Sequence, residues 1–125
     1  MYTGQVAVIS NKATWQSPVC ELIDDVTGTA TDLTDPALTV DIVVTIRAMC
    51  ARFCDYGTIV SDRVIATASI ANTKVTIPGP GFQWQFEVAD LSGLCAGTYR
   101  LGVKVTIDGF VNDLIDGTIA VVEGN

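Results

Sequence analysis

The stretch Phe82-Gln83-Trp84-Gln85-Phe86-Glu87-Val88 decides the fold class. Four apolar side chains alternate there with three polar ones, the period of two expected of a strand with one buried face. The same period returns downstream, where Tyr99, Leu101, Val103, Val105 and Ile107 alternate with Arg100, Gly102, Lys104 and Thr106. Upstream, Val40, Ile42, Val44, Ile46 and Ala48 form a third set rich in β-branched residues, which fit a pleated surface. Shorter strands are expected at Val6 to Ile9, Val19 to Ile23, Arg63 to Ser69, Lys74 to Ile77 and Thr118 to Val122. Turn chemistry separates them: Asp108-Gly109 between the last two long strands, Asn72-Thr73 between two short ones, and Pro78-Gly79-Pro80-Gly81 before Phe82. No capped amphipathic helix competes, and a helical turn is expected only around Met49 to Asp55. There is no internal repeat. The reading is all-β, an antiparallel β-sandwich of about seven to nine strands.

Length and composition agree with one such core. The chain has 125 residues, 49% of them hydrophobic and 17% charged, enough apolar material for a buried core and too much for a disordered segment. Residues 1–13 are expected to form an N-terminal arm or edge strand, and residues 14–125 a single sandwich domain. Seven Lys and Arg against fourteen Asp and Glu give a net charge of -7, the wrong sign for a direct nucleic-acid or anionic-membrane partner. The absence of His removes Ser-His-Asp and Cys-His catalysis and His-ligated metals. No segment approaches the apolar length of a membrane helix, and Met1-Tyr2-Thr3-Gly4-Gln5 opens no secretory signal, so a soluble product made in the cytoplasm is expected.

The segment Asp90-Leu91-Ser92-Gly93-Leu94-Cys95-Ala96-Gly97-Thr98-Tyr99-Arg100 is the most informative for topology. A Leu followed by Gly-Thr-Tyr at the head of an alternating strand is how immunoglobulin-like sandwiches enter a late strand, so Tyr99 is expected to be a fold-stabilising corner on the apolar face. The order Thr27-Gly28, Asp32-Leu33-Thr34, Phe82 to Phe86, Asp90-Leu91, Ala96 to Arg100 and Asp116-Gly117-Thr118-Ile119-Ala120-Val121 resembles the small β-sandwich modules of tailed-bacteriophage virions. The nearest comparison is the N-terminal domain of phage baseplate upper proteins, over residues 15 to 122. The resemblance implies a structural role: such domains attach receptor-binding or fibre proteins to the tail, and similar sandwiches decorate capsids and necks. A baseplate protein would continue beyond Asn125 into a receptor-binding or coiled segment, so the expectation here is an accessory subunit seated on a larger assembly.

Cys20, Cys50, Cys54 and Cys95 are many for a small cytoplasmic product. Their spacing fits neither a paired C-x-x-C zinc site nor a redox C-x-x-C, and Cys95 precedes the Tyr99 strand whereas an immunoglobulin inter-sheet cysteine follows it. Two readings stay open: buried free thiols, or disulfides formed within the domain or between subunits after release from the cell. Cys54 and then Cys50 are the first candidates for exposed thiols. Asp24, Asp25, Asp32 and Asp35 lie in loop-like sequence without the spacing of a calcium loop, and Asp32 and Asp35 suit turns in which the carboxylate accepts backbone amides. Phe82, Trp84 and Phe86 read as inter-sheet core. Trp15, Phe53, Tyr56 and Phe110 fall in loops or at hairpin tips and are candidate interface anchors, together with Val6, Val8 and Ile9 of the arm, which could add a strand to a neighbour's sheet edge.

The leading expectation is therefore a non-enzymatic virion structural protein with an antiparallel immunoglobulin-like sandwich, docked on the tail, baseplate or neck and mediating subunit attachment. Its partners would be other virion proteins in a homo- or hetero-oligomeric assembly, with no catalytic residue, cofactor or metal. A capsid decoration or cementing protein is the first alternative. A soluble module binding carbohydrate or a cell-surface ligand is the alternative from another class, and it predicts exposed aromatic and polar residues at one end of the sandwich.

Overall fold

Alternating apolar residues build two facing sheets in a computed structural model that describes residues 3–22, 28, 31–48, 64–94 and 96–123. Eight strands are named among these residues: β1 (Gln5–Ser10), β2 (Trp15–Gln16), β3 (Val40–Ala48), β4 (Val64–Ser69), β5 (Val75–Thr76), β6 (Gln83–Phe86), β7 (Gly97–Ile107) and β8 (Phe110–Val122). The larger sheet has the order β1-β8-β7-β3-β4 and the smaller one β2-β6-β5. All pairings are antiparallel except β1 with β8, which is parallel. The protein is an all-β sandwich.

The β3–β7–β8 block carries the longest registers. Val40 to Ala48 faces Ile107 to Tyr99, and Gly97 to Ile107 faces Val121 to Phe110, with an irregularity next to Lys104. The β7–β8 hairpin closes on Asp108 and Gly109, at φ 51° and 84°, two successive positive values that suit a tight antiparallel hairpin. Asp108 also exchanges bonds with Thr39: its N–H donates to the Thr39 carbonyl at 2.8 Å and its carboxylate accepts the Thr39 N–H at 2.9 Å. The tip is thereby held to the start of β3.

Between the sheets lie Ile42, Val44 and Ile46 of β3, Leu101, Val103 and Val105 of β7, Ile119 of β8, and Phe82, Trp84 and Phe86 from the opposite side, all at most 2% exposed. Each fully buried side chain of this kind contributes roughly 1.5–3 kcal/mol of transfer free energy. Tyr99 is buried on the same face, opposite Ile119 of β8. Ser17 extends the short β2 by substitution: its N–H donates to the Trp84 carbonyl at 2.9 Å and its hydroxyl accepts the Trp84 N–H at 3.0 Å.

Several local expectations are corrected. The alternation through Val88 does not continue as strand: β6 stops at Phe86, and Val88–Leu91 forms a single helical turn (α1). The Glu87 N–H donates to the Asp90 carboxylate at 3.0 Å, which turns the chain, and Leu91 anchors the turn in the core. Of the strand expected at Val19 to Ile23, the described residues Val19 to Leu22 form only an isolated bridge between Cys20 and Phe82, and Ile23 lies outside the described residues. The last strand begins at Phe110, eight residues before Thr118, because its first half carries Asn112, Asp113 and Asp116 and so hides its alternation. The helical turn expected at Met49 to Asp55 lies outside the described residues.

Candidate functional site

The candidate interaction surface is the rim of the larger sheet, because every sheet edge leaves backbone groups unpaired. Five edge stretches can be compared among the described residues. β2 and β5, the edges of the smaller sheet, are two residues each and offer almost no template.

β4 bounds the larger sheet on one side. The Asn72 carboxamide folds back along its outer edge: Oδ1 accepts the Ser69 N–H at 2.9 Å and Nδ2 donates to the Thr67 carbonyl at 2.9 Å. One side chain thus occupies the donor and acceptor that an added strand would use. The same Oδ1 accepts the Lys74 N–H at 3.1 Å, and the Lys74 ammonium reaches the Asp90 carboxylate at 2.6 Å, tying the turn to α1. Burial opposes charge on Asp90, but the Lys74 ammonium and the Glu87 N–H outweigh it and hold the carboxyl below its ordinary range. The Asp90 carboxylate in turn raises the Lys74 ammonium.

The first half of β8, from Phe110 to Asp116, lies beyond the reach of β1, whose pairing starts at Thr118. It is guarded by charge: Asp113 and Asp116 stand on the outer face, 4.0 Å from Lys104 and 3.2 Å from Arg100. Phe110 and Val111 are 73% and 58% exposed at its start.

β1 bounds the other side with the sequence Gln-Val-Ala-Val-Ile-Ser, which contains no charge and no proline. Ile9 is buried, Val6 and Ala7 pack partly against the core, Val8 is 60% exposed, and Val122, opposite Ser10 on β8, is 47% exposed. β1 can lie this close to β8 because position 117 is glycine; a Cβ there would collide with the Gly4 carbonyl oxygen and press on Val6. At its far end the Asn11 N–H donates to the Val122 carbonyl at 3.1 Å, and the buried Asn11 carboxamide donates to the Leu94 carbonyl at 2.9 Å. Residues 5–10 are therefore a strand of their own sheet and not a free arm, the last strand on this side among the described residues.

The remaining predicted residues separate widely. Trp15 is not an exposed anchor: it is half-buried, stacked on Phe86 with centroids 5.9 Å apart and edge-on to Trp84 at 5.7 Å. Cys20 is a free, half-buried thiol whose burial pushes its pKa up, which disfavours thiolate chemistry. Cys50, Cys54, Cys95, Phe53 and Tyr56, like Asp24 and Asp25, lie outside the described residues. The Asp32 carboxylate accepts the Thr34 N–H at 3.0 Å and the Thr34 hydroxyl, and these bonds hold its pKa low; the Asp35 carboxylate accepts the Ala37 N–H at 2.9 Å. Both serve turns. Among the described residues no three His, Cys, Asp or Glu side chains converge as a metal site.

The outer face of the larger sheet holds a shallow groove of about 640 Å³, lined centrally by Thr45, Arg47, Arg100, Lys104, Asp113 and Asp116. Among the described residues no aromatic ring lines it. Sequence reasoning missed Asn72, whose only signal was a turn-forming Asn-Thr pair, and Gly117, which reads as an ordinary strand glycine. No protein-family model matches the chain, and no curated protein matches it.

Proposed function

We propose that this chain is a non-enzymatic structural subunit of a tailed-phage virion, seated on the tail, baseplate or neck, where it attaches to neighbouring subunits. The observation that carries the reading is the uncharged β1 edge strand with its exposed Val8, set among described edges that are otherwise short, capped or charged. A binding edge of this type recognises a partner through main-chain hydrogen bonds, which suits repetitive assembly. The resemblance of residues 15 to 122 to virion sandwich modules supplies the setting. The carbohydrate-binding alternative has less support, since the described lining of the groove on the outer face offers polar groups without a ring on which a sugar could stack.

Quantitative mass spectrometry of purified particles tests the proposal. A few to about a dozen copies per particle are expected of a closed tail, baseplate or neck ring. Copies comparable to the major shell protein would instead make it a decoration or cementing subunit. Absence from the particle would overturn the virion reading and favour the soluble binding module.

A further inference from the structure

We infer that the tip of the β7–β8 hairpin, built around Phe110, is a second docking surface, and that its partner is a different protein subunit whose apolar contact is ringed by Lys or Arg. The inference rests on the assembly reading above and names the chemistry of one neighbour.

The first observation is an apolar row that outruns the core. Ile107 continues the inward alternation of Leu101, Val103 and Val105, and it stands opposite Val40 on one side and Phe110 on the other. Residues directly opposite each other in an antiparallel pair share a face, so Val40, Ile107 and Phe110 form one row on the core side of the sheet. Burial falls along it: Val40 and Ile107 are half-buried against the core, while Phe110 is 73% exposed. The ring therefore extends the core without being covered by it. Val111, the next residue, is exposed on the opposite face.

The second observation is that the tip is braced. The two bonds between Asp108 and Thr39 fix the turn to the start of β3, and Phe110 occupies the first register position after that turn. A side chain held in place before docking loses little conformational freedom on contact, and a buried aromatic concentrates binding energy. The third observation is charge. Asp41 lies in the row of Thr106 and Val111, Asp108 in the turn and Asp113 opposite Lys104, which is the one cation in these rows among the described residues. This acidic rim, on a chain of net charge -7, selects the occupant. A second copy would bring the same sign and an anionic membrane would repel it, whereas Lys or Arg around an apolar contact complements it.

Photo-cross-linking of the full chain in its native host tests this, with a benzophenone side chain in place of Phe110. The control carries it in place of Gly93, an exposed glycine beside Leu94, which Asn11 ties to the other end of β8. Irradiation is expected to join position 110, in excess over position 93, to a peptide of another protein in which apolar residues stand beside Lys or Arg. With that partner purified, Phe110→Ser is expected to weaken binding by roughly tenfold or more, and Asp41→Lys or added salt to weaken it as well. Because Phe110 is exposed, Phe110→Ser is expected to leave the thermal midpoint of the chain unchanged, which separates lost docking from lost folding. No adduct above the control, an adduct to a second copy or to lipid, a contact peptide without Lys or Arg, or unchanged binding by Phe110→Ser overturns the inference. A chain present in purified particles without an adduct at position 110 defeats only the docking surface; the expected partner found only outside particles defeats only the virion reading.

Discussion

The two rims of the larger sheet solve the same problem in different ways. On β4 a single carboxamide, Asn72, occupies the outward N–H of Ser69 and the outward carbonyl of Thr67, so the strand ends its own ladder. On β1 the strand is just as neutral, yet among the described residues nothing lies on its outer side in the sheet order. The difference teaches that neutrality alone does not make an edge sticky; what matters is whether its backbone groups are already spoken for.

The strongest way to break the comparison is to remove one rim. Gly117→Val would force β1 away from β8, and overpacking alone costs about 1–3 kcal/mol, to which the lost burial of Ile9 adds. Urea denaturation is expected to show the lowered midpoint. A midpoint unchanged from the wild type would show that β1 contributes little to the fold.

Asn72→Ala should uncover the β4 rim. Losing the carboxamide is expected to cost about 1 kcal/mol and to increase concentration-dependent association over the wild type. Sedimentation reads the difference, and a variant that associates no more than the wild type would mean that the cap has no protective role. Asp113→Val, on the guarded half of β8, is expected to change stability by no more than about 0.5 kcal/mol while lowering solubility, read from the precipitation threshold.

The smallest effect concerns pH, because the β4 turn is tethered by ionisable groups while β1 contains none. The Asp90 carboxyl is depressed in the folded protein, so its contribution is present above the unfolded value of 3.8 and fades as pH falls through the folded value. The Lys74 ammonium is raised, so its contribution is present below 10.5 and fades as pH climbs through the folded value. Thermal midpoints of wild type and Asp90→Asn are expected to differ modestly at neutral pH and to converge below about pH 3.8. A gap that stays constant into acid would remove the tether from the account.

How much of this was legible in the sequence follows from how local each signal is. The strands around Val44, Trp84 and Val103 announce themselves because each carries its own alternation. Val88 misleads for the same reason: it extends the alternation of Phe82 to Phe86, and only the bond from Glu87 to Asp90 reveals the turn. Trp15 belongs to a two-residue strand defined by its partner Phe86, seventy-one positions away, so nothing near it in the chain marks it. The β1 edge is half legible. Its neutrality is written in Gln5 to Ser10, but its parallel pairing depends on β8, at the other end of the chain. The cap on β4 is the least legible, since an Asn in a turn gives no sign of which backbone groups it will reach.

The meeting of Trp15 with Trp84 has a practical consequence for anyone watching this protein unfold. The chain has two tryptophans, and both sit where β2 crosses β6, perpendicular to each other at 5.7 Å. Intrinsic indole emission is therefore a lamp fixed at one spot, the smaller sheet. A fluorescence melt records that sheet coming away from its neighbour and stays dark to whatever happens first at the rims.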